Sequence, residues 1–161
     1  MNARVGLDIG GTKTAALVVD NTGRVLAEVT RPTDVSAPER LVAGVVATVD
    51  QALALAGTAR SALAAAGVGV PGQVDPATGT VSMAVNLNLR APYPLRDALQ
   101  TALGVPVTLE NDVRTAAWGA YHRANSVQPL ASLAYLSIGT GIAAGLVLGG
   151  CLYRGTGGMA G

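Results

Sequence analysis

The hydrophobic pattern at the start of the chain has a period of two, because Val5, Leu7 and Ile9 alternate with small or polar residues. This alternation is typical of a strand with one buried face. A second apolar run covers residues 15–19 and ends in the sequence Asp-Asn-Thr-Gly, a strong turn signal. The pattern predicts an opening meander of three strands, over residues 4–10, 13–20 and 24–30.

The spacing becomes helical after this meander. Ser36 and Glu39 form the motif of a capping box, and an apolar stripe follows it, which predicts a helix over residues 37–56. Residues 64–70 are apolar throughout, as expected of a buried strand that could be parallel to its neighbours. The remaining pattern predicts a hairpin over 73–85, a helix over 95–103, a strand over 107–109 and a helix over 112–124.

The last predicted helix has an apolar stripe at helical spacing, and Arg114 and Arg123 fall outside this stripe. Across the chain, helices alternate with strands once the meander has ended. This order predicts an α/β fold in which helices flank a mixed sheet.

The first turn of the meander has the most distinctive chemistry of the chain, in the sequence Asp-Ile-Gly-Gly-Thr-Lys-Thr that begins at Asp8. The adjacent Gly10 and Gly11 allow backbone N–H groups to approach an anion, because no Cβ stands in the way. Asp8 is placed where a carboxylate holds Mg²⁺, directly or through water. The motif has neither the spacing of a Walker A loop nor that of a dinucleotide-binding fingerprint. A Gly-Gly hairpin with a purely structural role is the alternative interpretation.

This hairpin has a second copy near the carboxyl end of the chain. The sequence Leu-Asp-Ile-Gly-Gly-Thr at 7–12 returns as Leu-Ser-Ile-Gly-Thr-Gly at 136–141, and an apolar strand and a glycine turn follow each copy. Two phosphate-type hairpins indicate a duplicated domain whose halves face each other across a cleft. We therefore predict an amino-terminal domain over 1–124 and, over 125–161, a linker with the first hairpin of a second domain.

Composition excludes several classes of protein. Of the 161 residues, 50% are hydrophobic and 13% are charged, with a net charge of +1, so neither a disordered chain nor a nucleic-acid-binding surface is expected. Cys151 is the only cysteine, which excludes an internal disulfide, and we interpret it as a small apolar residue in a strand.

The start of the chain lacks a signal-peptide pattern, so we expect a cytoplasmic protein. Residues 131–153 carry no charge, but their glycines and their repeat of the first hairpin favour buried strands over a membrane span.

Asp112 is the leading candidate for a catalytic group, because it lies where a predicted strand ends and a helix begins. Asn111 beside it, together with Asn86 and Asn88 at another strand–loop junction, offers amides that donate to and accept from hydroxyl groups. A carboxylate among neutral amides suits an uncharged polyol, whose hydroxyl proton it would accept during phosphoryl transfer. The alternative is that Asn111 and Asp112 only cap the helix.

These motifs resemble those of the ROK family of sugar kinases and sugar-responsive repressors, within the actin-like ATPase superfamily. The first hairpin resembles the family's first phosphate motif, Asn86 its sugar-loop Asn, and the sequence that begins at Glu110 its Glu-Asn-Asp block. The matching segments are 8–13, 67–72, 86–87, 110–119 and 136–150. Arg114 stands where Asn is usual, and Leu89 stands where an aromatic residue is common. The resemblance implies the amino-terminal domain of the actin-like, ribonuclease H-like fold and the opening hairpin of a second such domain.

The resemblance also implies an ATP-dependent, glucokinase-like enzyme that phosphorylates a hexose such as glucose, with ATP and Mg²⁺ as cofactors. By that similarity Asp112 would be the catalytic base, and Asn86, Asn111 and Gly72 would bind the sugar. Asp8 would be the acid associated with Mg²⁺ through water. The residues implied in binding ATP and its phosphates are Asp8, Gly10, Gly11, Thr12, Lys13, Thr140 and Gly141.

Family members continue beyond the last residues of this chain into a Glu-Ile-Gly-His segment that completes the sugar site, and many carry a cysteine-rich zinc motif after it. This sequence contains neither, so we expect half a cleft without the zinc site, inactive alone, from a protein that is a homodimer at full length. The expected partners are a small-molecule sugar and ATP, with no nucleic acid and no membrane. Two other functions stay open, a non-enzymatic sugar-sensing module related to the repressors and a degraded kinase remnant.

Overall fold

The computed structural model describes residues 2–139 and 141–161. Its helices are α1 (Pro38–Leu55), α2 (Leu95–Leu103) and α3 (Asp112–Asn125). Its strands are β1 (Ala3–Ile9), β2 (Lys13–Val19), β3 (Val25–Pro32), β4 (Leu63–Val70), β5 (Gln73–Asp75), β6 (Thr80–Met83), β7 (Val107–Asn111), β8 (Ser132–Ile138), β9 (Ile142–Leu148) and β10 (Cys151–Tyr153). The predicted order of strands and helices is confirmed.

Five strands form one sheet in the order β3-β2-β1-β4-β7. The strands β1, β2 and β3 are antiparallel neighbours, whereas β4 and β7 are parallel to β1. Parallel neighbours need crossover connections, which the segments containing α1 and α2 provide. The predicted α/β fold with a mixed sheet and flanking helices is therefore confirmed.

The helices α1 and α2 cover one face of this sheet. The alternation in β1 buries Val5, Leu7 and Ile9 on that face, in a single apolar core with Val45 and Val49 of α1. Burial of one such side chain contributes about 1.5–3 kcal/mol, so this core holds the sheet and the helices together. The other face of β1 carries the polar and small residues, including Asp8.

The second hairpin belongs to a separate three-stranded sheet with the order β10-β9-β8, which repeats the order β3-β2-β1. The sequence repeat is therefore a repeat of a whole strand meander. This sheet packs on α3 at Gly145, where a Cβ would lie 2.8 Å from the carbonyl oxygen of Val113. As a result α3 contacts both sheets, β4 and β7 in one and β8 and β9 in the other.

The start of α1 differs from the predicted capping box. Ala37 is the N-cap residue, without a side-chain hydrogen bond to the helix, and the helix begins at Pro38. The Ser36 hydroxyl donates instead to Oδ1 of Asp34 at 2.5 Å. The prediction was wrong because Asp34, two residues earlier, offers that hydroxyl a local partner outside the helix.

The position of Arg114 is a second difference. The helical pattern places this residue outside the apolar stripe, yet its side chain is buried, with 6% of its surface exposed. Its guanidinium donates to Oε1 of Glu110 at 3.1 Å. A guanidinium is buried at low cost only when it is paired, so the ion pair explains the departure from the stripe.

Strands form within 132–138, 142–148 and 151–153 as predicted, but the expectation that they are buried holds only for part of β9, such as Val147. Leu136, Ile138 and Ile142 are 63%, 77% and 78% exposed, since α3 covers only part of the three-stranded sheet. Cys151 lies in β10, and its side chain is also exposed. Across residues 2–139 and 141–161, no helix combines the length and the hydropathy needed to cross a bilayer.

Candidate active site

The carboxyl ends of β1, β4 and β7 lie side by side at one edge of the five-stranded sheet. Asp8 in β1 pairs with Gly69 in β4, and Gly69 pairs with Glu110 in β7. The residues that follow these strands are therefore brought to the same edge, where α/β folds place their ligands.

Asn111 links two of these strand ends. Its Oδ1 accepts from the N–H groups of Val113 at 3.0 Å and Arg114 at 3.2 Å, so it is the N-cap of α3. Its Nδ2 donates to the carbonyl oxygen of Gly72 at 3.1 Å. The capping interpretation is confirmed for Asn111, and the predicted sugar contact stays a prediction.

Asp112 is the first residue of α3 and lies on a cavity of about 380 Å³. One of its oxygens, Oδ1, accepts from the N–H of Val113 at 2.8 Å. Asn111 and Gly72 line the same cavity, and residues 143–144 and 158–161 form its other side. Its volume is within the range of small-molecule sites, and Asp112 and Arg114 supply the charge among its described lining residues.

Asp8 lies within electrostatic reach of Asp112. Partial burial raises the pKa of Asp8 from its usual 3.8, and the Asp112 carboxylate raises that pKa further. The Lys13 ammonium group lowers the pKa of Asp8 and so offsets part of the change. The structure thus brings the first hairpin and the candidate base together, as the sequence analysis predicts.

The Gly-Gly turn of the first hairpin has structural demands of its own. The N–H of Gly10 donates to the Lys13 carbonyl oxygen at 2.9 Å, so this amide is engaged in closing the turn. A Cβ on Gly11 would overlap the backbone oxygen of Asn86. Glycine is therefore required at 11 for contact with the loop that carries Asn86, in addition to any role in phosphate binding.

Asn86 and Asn88 have different surroundings, although they are two residues apart. Asn86 is exposed in a short 3-10 turn, Val85–Leu87, against the first hairpin. Asn88 has a left-handed backbone with φ of 56°, and its amide donates to the Val35 carbonyl oxygen at 3.4 Å. Asn86 is thus available to a ligand at this edge, whereas Asn88 holds its loop against residue 35.

The other predicted phosphate-binding residues belong to the two hairpin turns. The Thr12 carbonyl oxygen accepts from the Thr33 N–H at 3.1 Å, and Lys13 begins β2. Gly141 lies between β8 and β9, where its carbonyl oxygen accepts from the Gly139 N–H at 2.9 Å. Thr140 lies outside the described residues. The opposition of the two turns across a cleft therefore stays a prediction.

The sequence analysis missed an ion network at this site. Glu110, with 9% of its surface exposed, accepts from Arg114 at 3.1 Å and through Oε2 from Nε of Arg154 at 2.7 Å. Glu110 lies in β7 and Arg114 in α3, so the helical rule for residues four apart does not indicate the first pair. The second pair joins residues 44 apart, and no local pattern indicates it.

A larger open cavity, of about 970 Å³, extends from Asp8 across the sheet face opposite α1. Its lining is mostly apolar and includes Leu17, Trp118 and Leu152, but neither Asn111 nor Asp112. The smaller cavity is lined by the candidate base and by the sugar-binding candidates Asn111 and Gly72, whereas Asn86 does not line it. We therefore place the candidate active site at the smaller cavity.

The comparison with protein families identifies the family of the chain. The family model described as ROK family matches residues 4–161, and the chain therefore belongs to the ROK family. Its fold is the actin-like ATPase fold of ROK sugar kinases, since it superimposes on their solved structures over nearly its whole length.

Particular relatives support the same family and fold. The chain is 34% identical to a glucokinase of Streptomyces coelicolor over 99% of its own length and 48% of that relative. A ROK hexokinase from Thermus thermophilus matches at 38% identity and a TM-score of 0.82, over 99% of this chain and 51% of the other. A ROK glucokinase from Streptomyces griseus, solved with glucose and AMPPNP, matches at 37% identity and a TM-score of 0.77, with 99% and 49% covered. The chain spans about half the length of the curated relatives it matches.

Proposed function

We propose that this chain is the part of an ATP-dependent sugar kinase that carries the catalytic base and the first phosphate motif. The observation that carries the proposal is the position of Asp112, at the start of α3, on a small cavity and within electrostatic reach of Asp8. The relatives named glucokinase and hexokinase support this reading.

Asp112 would act as the general base. Its carboxylate would accept the proton of a sugar hydroxyl while that oxygen attacks the γ-phosphorus of ATP. The new oxygen–phosphorus bond forms as the bond between the γ-phosphorus and the leaving oxygen of ADP breaks. Since Asn111 caps α3 and anchors Gly72, it would keep the base in a fixed position at the cavity.

The sugar would lie in the cavity beside Asp112. Asn86, Asn111 and Gly72 would bind its hydroxyl groups, since a side-chain amide both donates to and accepts from a hydroxyl and a carbonyl oxygen accepts from it. The substrate we propose is a hexose such as glucose, in agreement with the names of the relatives.

The first hairpin would bind the phosphate groups of ATP and the associated Mg²⁺. Asp8 fits a cation, because its carboxylate lies within electrostatic reach of the Asp112 carboxylate, and their repulsion would be relieved by positive charge. Within the described residues no group of three or more potential metal ligands occurs, so phosphate oxygens and water would complete the shell around Mg²⁺. Bound Mg²⁺ would neutralise charge on the phosphates during transfer. Gly10, Gly11, Thr12, Lys13, Thr140 and Gly141 are the proposed contacts to the phosphates.

Further parts of the proposal concern the whole protein. We propose a division into a domain over 1–124 and a second domain that starts within 125–161, supported by the repeated meander. The full-length protein would be a cytoplasmic homodimer that takes a sugar and ATP as partners. The 161-residue chain would lack turnover, because transfer depends on the positioning of both substrates by a complete cleft.

The test is an ADP-release assay across hexoses with full-length protein that contains this chain and its Asp112→Asn variant. We expect turnover to fall about 10²–10⁴-fold while the sugar Kd changes little, since the variant loses the proton acceptor and keeps its shape. Asp97→Asn is the matched control, because Asp97 lies in the first turn of α2 with a side chain that is 62% exposed.

The same assay separates the alternatives. Sugar binding without ADP release by the unmodified protein would favour the sugar-sensing module. Neither binding nor release would favour the degraded remnant. An equal loss of sugar binding and turnover in Asp112→Asn would show that the role of Asp112 is structural and not catalytic.

A further inference from the structure

Glu110 and the two arginines that it pairs with connect the candidate base to the other side of its cavity. Glu110 Oε1 accepts from Arg114 and, at 2.9 Å, from the backbone N–H of Asn111, and Oε2 accepts from Arg154. We call Glu110, Arg114 and Arg154 the Glu110 network. The carboxylate at its centre is almost fully buried, so its hydrogen bonds are formed away from competing water.

The guanidinium of Arg114 makes a second contact through its other terminal nitrogen. Its Nη1 donates to Glu110, and its Nη2 donates to the carbonyl oxygen of Gly158. The planar guanidinium presents its donors in a fixed fork, so one side chain holds both partners in a defined relation. The backbone of residue 158 is thereby tied to the start of α3.

The segment that Arg114 holds needs an anchor. Gly155, Gly157, Gly158 and Gly161 all have positive φ, and glycine loses more backbone freedom on ordering than any other residue. The segment also contacts the rest of the chain through Gln73, whose amide donates to the Met159 sulfur at 3.3 Å, and through Gly161, which packs against the Ala144 backbone. Of the two side-chain hydrogen bonds, the charge-assisted one from Arg114 is the stronger.

Both sides of the cavity depend on this contact. Residues 158–161 form one side, Asn111 and Asp112 form the other, and Arg114 itself lines the cavity between them. We propose that Arg114 is a positioning residue that sets the width of the sugar cavity by holding residue 158 at a fixed distance from the start of α3.

The inference concerns the width of the cavity. It rests on the proposed function only in taking the ligand to be a sugar. We call the contact between Arg114 and the Gly158 carbonyl oxygen the clamp. The inference predicts that a weaker clamp loosens the segment at 155–161 and lowers affinity for the sugar, while affinity for ATP is unaffected. If Arg114 had only a structural role, its substitution would instead lower the stability of the whole domain and change the affinities for sugar and ATP together.

The first experiment measures amide hydrogen exchange in the 161-residue chain and in Arg114→Lys. Lysine keeps the charge but loses the fork. We expect exchange of the amides at 158–161, where the Ala160 N–H donates to the Arg154 carbonyl oxygen at 3.0 Å, to accelerate about tenfold, with α1 unchanged. Arg123→Lys is the matched control on an exposed face of the same helix. Unchanged exchange at 158–161, or equal acceleration in α1, would overturn the inference.

The second experiment measures kinetics of the full-length protein with glucose as the probe. In Arg114→Lys we expect the KM for glucose to rise about tenfold and the KM for ATP to stay constant. Should Arg114→Lys fail to fold, Arg154→Gln removes the half-exposed side of the network and should show the same changes more weakly. An equal rise in both KM values contradicts the clamp. Absence of glucose turnover in the unmodified protein contradicts the proposed function instead, and the exchange experiment then decides on the clamp alone.

Discussion

Partial burial and then the Asp112 carboxylate raise the pKa of Asp8, although Asp8 lies in β1 and Asp112 begins α3. Two acids at the same sheet edge are unfavourable when both are ionised. The folded chain therefore keeps a repulsion that the unfolded chain avoids.

Asp8→Asn should stabilise the fold near neutral pH. The pKa of Asp8 is higher in the folded state than its usual 3.8, so the folded state binds the proton more tightly and stability falls as pH rises above that value. The variant should show a higher free energy of unfolding at pH 7, and the gain should shrink as the pH falls and vanish well below 3.8, where Asp8 is protonated in both states. Urea unfolding over this pH range measures the difference, with Asp97→Asn as the control. A variant less stable than the parent at pH 7 would show that Asp8 has a favourable partner that outweighs Asp112.

Gly11→Ala should destabilise the fold. A Cβ at this position would overlap the Asn86 backbone oxygen, and relief of such overpacking costs about 1–3 kcal/mol. Gly6→Ala is the matched control in the preceding strand, because a Cβ there meets nothing within 4 Å. The midpoint of urea unfolding should fall for Gly11→Ala and stay near that of the parent for Gly6→Ala. Equal midpoints for the two variants would mean that the Asn86 loop moves aside at little cost.

Asn111→Ala should lower stability through two separate losses. The helix loses its N-cap, worth about 1 kcal/mol, and the Gly72 carbonyl oxygen loses a donor. Asn111→Asp retains the cap but cannot donate to Gly72, so its free energy of unfolding should lie between those of the parent and the alanine variant. Denaturant unfolding followed by circular dichroism measures all three. A stability of Asn111→Asp equal to that of the parent would assign the whole effect to the cap.

The 161-residue chain should self-associate through β8. This strand is at the edge of its sheet, and Leu136 and Ile138 are largely exposed, a combination that favours pairing with another chain. Ile138→Lys should shift sedimentation toward the monomer because charged side chains protect edge strands. Val127→Lys is the control, since Val127 is 87% exposed but lies outside the strands. An equal shift in both variants would indicate a general effect of charge on solubility.

The sequence predicted the strands and helices well, because their signals are local. In β1 and in α1 the residues that face the core are apolar, and they recur with the period of a strand and of a helix, respectively. The location of the site at strand ends followed from the same elements. Asp112 and Asn86 were selected as candidates in this way, since each was predicted at the junction of a strand with a helix or loop.

Errors arose where a partner outside the local pattern decided the outcome. Asp34 takes the Ser36 hydroxyl, and Glu110 draws Arg114 into the interior. Arg154 approaches Glu110 only because the second sheet packs on α3, which is tertiary information. A helical wheel contains none of these contacts.

The double contact of α3 has a mechanical consequence. Because this helix rests on both sheets, a hinge motion of one sheet against the other must either carry the helix along or make it slide. Gly145 brings backbone against backbone at that junction, which leaves little room for sliding. Opening and closing of the molecule would then rotate Asp112, the proposed base at the start of α3, together with the three-stranded sheet. The motion of that sheet and the alignment of the proposed base would be one movement.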